Sequence, residues 1–157
     1  MRRLMALTYI CVLLAGCSRS TEPTQPTEPP EPTEPIQIHG AWAPAMPPNA
    51  VIGAVYMEIT AHKPDRLVGA SSPIAHSVEV HQTFIEEGIA RMRPVEAISL
   101  DATPFTFEPG GAHFMLIGMS KPLDAGGTIE LDLRFEHAGT ITVQVPVMAS
   151  EDDHAHH

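Results

Sequence analysis

"TIELDLRF", residues 128–135, decides the fold class. Ile129, Leu131, Leu133 and Phe135 alternate with Glu130, Asp132 and Arg134, the period of two that sends successive side chains to opposite faces of a strand. One face is therefore buried and the other wet. "ITVQVPV" (141–147) repeats the pattern with Ile141, Val143, Val145 and Val147 inward, and Pro146 places its neighbourhood at a sheet edge or strand end. Working outward, "AVIGAVYMEIT" (50–60), "DRLVGAS" (65–71), "SVEVHQT" (77–83), "IARMRPV" (89–95) and "AHFMLIG" (112–118) also read as short strands, separated by Pro, Gly, Asp or Asn. No stretch carries a helical period. About seven or eight short strands between Ile36 and Ala149 predict an all-β domain, an antiparallel β-sandwich with Greek-key connections.

The ends of the chain carry different information. "MRRLMALTYICVLLAGC" has two arginines, an apolar run from Leu4 to Leu14 and small residues before Cys17, the layout of an export signal and too short for an ordinary membrane span. "LLAGC" resembles a bacterial lipobox, which makes residues 1–16 a cleaved lipoprotein signal and Cys17 the lipidated first residue. A plain secretory signal is the simpler alternative. Residues 17–35 follow as a linker whose "TEPTQPTEPPEPTEP" holds six prolines and four glutamates in fifteen residues. Such a stretch buries no core and favours extended polyproline II, with a reach of ~45 Å at ~3.1 Å per residue. The body is then 36–149, and 150–157 is a tail, "EDDHAHH" preceded by Ser150. His154, His156 and His157 there make either a loose secondary metal site, suited to Cu(II), or a cloning remnant.

With Cys11 removed and Cys17 acylated, no thiol remains in the body. That excludes a disulfide framework, a thiolate nucleophile and Cys-ligated zinc or copper. Without Arg2 and Arg3, 7 Lys and Arg stand against 19 Asp and Glu, a formal charge of −12. An acidic surface of that size repels nucleic acid. No Ser/His/Asp arrangement, inward carboxylate pair or phosphate-cradling glycine loop stands out, so the chain reads as a non-enzyme.

The chemistry-bearing residues lie in two segments. In "GGAHFMLIGM" (110–119), His113 and Met115 are two apart, so they share a strand face ~6.6 Å apart and can converge on one ion. Gly110 and Gly111 permit a close approach. Methionine is also common core filler, so the pair gains weight from a second one. "SVEVHQTFIEEGIARMRPV" reads as a hairpin with its turn in Ile85–Gly88; a four-residue loop sets Phe84 against Ile89 and His81 directly opposite Met92. Val78 and Val80 face the core, and Glu79 and His81 face away from it. His39 and His137 read as structural or solvent-exposed, His62 and His76 sit in turn-like stretches and take no role, Met57 and Met148 read as packing, and Met46 and Met119 as candidates for the rim of the site. Asp65 and Arg66 suggest a structural ion pair.

His81, ten residues, Met92, twenty residues, then His113-Phe114-Met115 closely resembles the motif of the periplasmic copper chaperones called the PCuAC family. "VEVHQ", "RMRPVEAISL", "EPGGAHFMLIGMSKPL" and "PDRLVGASSP" extend the likeness over nearly all of 36–149. The chain departs from the pattern at Gln82, where many members have Met, and in an interval of twenty residues, where about twenty-one is usual. Neither change removes a ligand. The resemblance implies a cupredoxin-like sandwich and one Cu(I) held by His81, Met92, His113 and Met115. It further implies delivery to the CuA centre of cytochrome c oxidase subunit II, alongside a Sco-type copper protein. The donor chemistry agrees, because neutral thioethers and imidazoles suit Cu(I) and serve Mg²⁺, Ca²⁺ or Zn²⁺ poorly. Two other readings use the same sequence: copper buffering or resistance without a dedicated recipient, and a structural lipoprotein that binds no metal.

Overall fold

The computed structural model describes residues 34–149 and contains ten strands. They are β1 (Ile36–Pro44), β2 (Ile52–Ala61), β3 (Asp65–Ser71), β4 (Ser77–Glu86), β5 (Ile89–Val95), β6 (Ile98–Leu100), β7 (Phe105–Phe107), β8 (His113–Ile117), β9 (Thr128–Phe135) and β10 (Gly139–Met148). Neighbours run β5-β4-β8-β2-β1-β10-β9-β3-β6, with β7 pairing with β2 beyond the end of β8. The contact Ala70–Val78 joins β3 and β4, each the second strand from an end of this path. The sheet thus folds over on itself, and sequence-distant neighbours such as β4 and β8 make the Greek-key crossings.

All pairings are antiparallel except one short parallel contact between β1 and β10, Ala43–Val147 and Pro44–Met148. Up to that point β1 pairs with β2, with an irregularity between His39 and Trp42, a bulge that turns the strand from one layer toward the other. In β9, Ile129, Leu131, Leu133 and Phe135 are all buried, as the alternation requires. In β10 only Val145 and Val147 are fully buried, and Ile141 and Val143 line an open cleft with Ile36, Ile38 and Ala41 of β1. The two strands pair only at Ala43–Val147 and Pro44–Met148, so Ile141 and Val143 pack on the edge of the core and stay partly exposed.

Val55, Ile59, Leu67, Phe114, Leu116 and Leu131 form the centre of the core, and Phe107 stacks on Phe114 with ring centroids 4.4 Å apart. Met57 is core. Met148, expected to pack, is instead exposed at the end of β10, because Val147 faces inward and alternation turns the next residue out. Met119 is buried against Gly53 and Leu123, and Met46 packs on the same core, so neither lies at the rim of the site expected on the opposite face of β4 and β8.

The expected Asp65–Arg66 ion pair is replaced by a different arrangement. Arg66 reaches Glu136 at 3.4 Å, and Asp65, itself buried, accepts the backbone N–H groups of Arg66, His137 and Ala138 at 2.7, 3.0 and 2.9 Å. A carboxylate that must satisfy the β9–β10 turn cannot also face a neighbouring side chain that alternation sends to the other side.

Candidate metal centre

The turn of the β4–β5 hairpin is tighter than the sequence suggests. Glu86 pairs with Ile89, so the loop has two residues, Glu87 and Gly88, both at positive φ (52° and 79°). That is the geometry of a type I′ turn, the two-residue link that matches the twist of the strands. The register accordingly differs from expectation: His81 lies opposite Pro94, and Met92 opposite Thr83. A four-residue loop would have slid β5 by two residues. Because the slip is an even number of residues, Met92 keeps the face of His81 and stands two pairs nearer the hairpin tip, opposite Thr83.

The adjoining strand completes the constellation. His81 lies directly opposite His113, and Glu79 directly opposite Met115, in the β4–β8 ladder. All four therefore share the face that points away from the core. The two imidazole centroids are 5.9 Å apart with planes inclined by 42°. Tyr56 of β2 continues the row, 6.4 Å from the His113 ring, and Trp42 of β1 lies 4.8 Å from Tyr56. Burial raises the Tyr56 pKa above its ordinary value of 10.0, which keeps the phenol neutral beside the imidazoles.

His113 is only 8% exposed. Its Nδ1 lies 3.4 Å from the carbonyl of Gly111, which also accepts from Thr83 Oγ1. The carbonyl is presented by the tight turn 108–112, where Gly110 has φ +80° and a Cβ at Gly111 would come within 3.1 Å of Glu108 Cγ. His81 Nε2 lies 2.9 Å from Glu79 Oε2. The other ring nitrogen of His81, Nδ1, is buried and has no hydrogen-bond partner among the described residues, an arrangement native proteins rarely leave without purpose. Met115 is half-buried next to these rings, whereas Met92 is 54% exposed.

The four expected donors thus divide into a compact set, His81, His113 and Met115, and an outlying Met92 within diagonal reach of a long side chain. Among the described residues no three His, Cys, Asp or Glu gather closely enough to hold an ion, and the thioether of Met115 is the soft donor beside the two imidazoles. Glu79, Tyr56 and the Gly111 carbonyl were not singled out from sequence. Glu79 was recognisable in principle, since residues 79 and 81 share a face, whereas the Gly111 contact depends on a turn geometry that spacing does not encode. Cys17, His154, His156 and His157 lie outside the described residues.

Comparison with known proteins adds independent information. The chain is 31% identical over 151 residues to "Putative lipoprotein Lxx21020" of Leifsonia xyli subsp. xyli, covering 93% of this chain and 90% of that protein. Among solved structures it is similar to the copper-bound PCuAC domain from PmoF2, with a TM-score of 0.62 and 31% identity over 74% of this chain and 94% of that domain. It is also similar to the solution structure of CuI-DR1885 from Deinococcus radiodurans, with a TM-score of 0.54 and 32% identity over 69% and 75% of the two chains. The family model "Putative lipoprotein LpqE-like" matches residues 36–147, the whole folded body from the first strand to the last. The chain belongs to the LpqE-like lipoprotein family, and its body has the PCuAC fold.

Proposed function

We propose that this protein is a lipid-anchored copper chaperone of the cell envelope, facing the periplasm. It binds one Cu(I) at His81, His113, Met115 and Met92 and delivers it to the CuA centre of cytochrome c oxidase subunit II. The observation that carries the reading is the side-by-side placement of His81 and His113 with Met115 on one outward face, His81 having a buried nitrogen without a partner. Neutral nitrogen and thioether donors favour Cu(I) and give it up to a site richer in thiolate. The copper-bound PmoF2 domain and CuI-DR1885 support copper as the cargo.

Met92 is the outer donor: exposed and two residue pairs from His81 along the hairpin, it closes over the ion and is the first to leave during transfer. Exchange of ligands, with no covalent chemistry, is the whole mechanism. A Sco-type protein acts with it at the recipient, and the tail histidines His154, His156 and His157 collect Cu(II) and raise its local concentration.

The test is anaerobic Cu(I) titration against a colorimetric competitor, with wild type beside Met115→Leu and Met92→Leu. These near-isosteric swaps cost under ~1.5 kcal/mol of fold stability. One Cu(I) per wild-type chain is expected, with a loss of affinity at Met115→Leu larger than at Met92→Leu. Unchanged affinity in both variants would remove the thioethers from the site. Transfer to a purified CuA domain then separates delivery from buffering: copper that is bound but never passed on would leave a metal store.

A further inference from the structure

The hydrogen bonds around the two imidazoles assign them opposite tautomers. At His113, Nδ1–H donates to the Gly111 carbonyl, so Nε2 carries the lone pair. At His81 the acceptor, Glu79 Oε2, faces Nε2 at 2.9 Å, so Nε2–H donates and Nδ1 carries the lone pair. The reverse choice at His81 is doubly unfavourable. It would bury an Nδ1–H with no acceptor, and a buried unsatisfied donor costs about 1–3 kcal/mol. It would also set the Glu79 carboxylate against a lone pair.

We propose that Glu79 is the positioning residue of the site: it fixes the His81 ring so that copper is taken through His81 Nδ1, while the Gly111 carbonyl fixes His113 so that it offers Nε2. The proposal rests on the reading of this face as a Cu(I) centre and deepens it. Its physical basis is general. A ligating histidine whose second nitrogen is held by a carboxylate or carbonyl has its tautomer and orientation set before the metal arrives. Glu79 is suited to this because it shares the outward face with His81 and stands opposite Met115. It buttresses the imidazole from the side where the thioether lies, without becoming a ligand itself.

The experiment uses the full chain labelled with ¹⁵N at histidine. Long-range ¹H–¹⁵N spectra separate pyrrole-type from pyridine-type nitrogens in each ring, and the His81 signals are identified by their loss in His81→Asn. In the apo protein the expected result is a pyridine-type Nδ1 at His81 and a pyridine-type Nε2 at His113, and on addition of Cu(I) these two nitrogens should shift. Glu79→Ala should mix the His81 tautomers and weaken Cu(I) binding by about 10–100-fold. Glu79→Gln, whose amide oxygen still accepts from Nε2–H, should keep the tautomer and lose less than about tenfold. Thermal unfolding of both variants shows that they are folded. A shift of His81 Nε2 in place of Nδ1, or full affinity in Glu79→Ala, would overturn the assignment while leaving the copper reading standing. Binding of Cu(I) with no response from either ring would overturn both.

Discussion

At the scale of the residue, Asp65 shows how one carboxylate can govern a turn remote from the metal centre. Burial alone would raise its pKa, but the backbone N–H groups of Arg66, His137 and Ala138 and the His137 ring hold it below the ordinary 3.8. A depressed folded-state pKa means that stability is gained on ionisation. The contribution is complete above the ordinary carboxylate value and is lost as pH falls through the lower folded value. Urea unfolding of wild type and Asp65→Ala between about pH 6 and pH 2 should therefore converge at the acid end. Near neutrality the variant should be less stable by about 3 kcal/mol, because it leaves charge-assisted hydrogen bonds unmade. A constant difference across the whole range would show that the ionised form has no special role. The exposed Arg66–Glu136 pair should contribute far less, at most about 1 kcal/mol.

At the scale of the element, the β4–β5 hairpin shows what sequence can and cannot specify. Gly88 was legible as a left-handed residue, but Glu87 was not, since glutamate seldom adopts positive φ. The loop was therefore read as four residues long, and Met92 was set against His81. The shared face of the two survived the error because a slip of two preserves parity, which is why their common face was legible while their register was not. The same division holds elsewhere. β9 and β10 were legible because each alternates cleanly, whereas β1 was missed because Gly40 and a bulge interrupt its pattern, and β6 and β7 because three residues are too few to show a period. The turn also yields a prediction. Asn-Gly suits a type I′ turn, and a left-handed residue with an ordinary side chain costs about 1–2 kcal/mol. Glu87→Asn should recover part of this and raise Tm by a few degrees, measured by thermal unfolding. A lowered Tm would show that Glu87 makes a compensating contact.

At the scale of the whole molecule, the proposed function assigns the donors to the folded body and the place where they act to the segment before it. Residues 21–35, which follow Cys17, are rich in proline and glutamate, the composition of a spacer that buries no core. The metal face is formed by β4, β5 and β8, none of which adjoins the start of β1 in the sheet order. In the proposed function, tethering therefore leaves the donors free to meet a recipient, and the spacer is expected to affect encounter without touching affinity. Deleting residues 21–35 should leave the Cu(I) affinity of the purified protein within about twofold of wild type, yet slow copper loading of a membrane-held oxidase subunit in cells at low copper. Replacing Cys17 with Ser should release the protein from the membrane fraction and slow loading in the same way, because the effective concentration that a tether provides is lost. Loading at the wild-type rate in both variants would mean that the recipient is found by free diffusion, and the anchor would then serve retention alone.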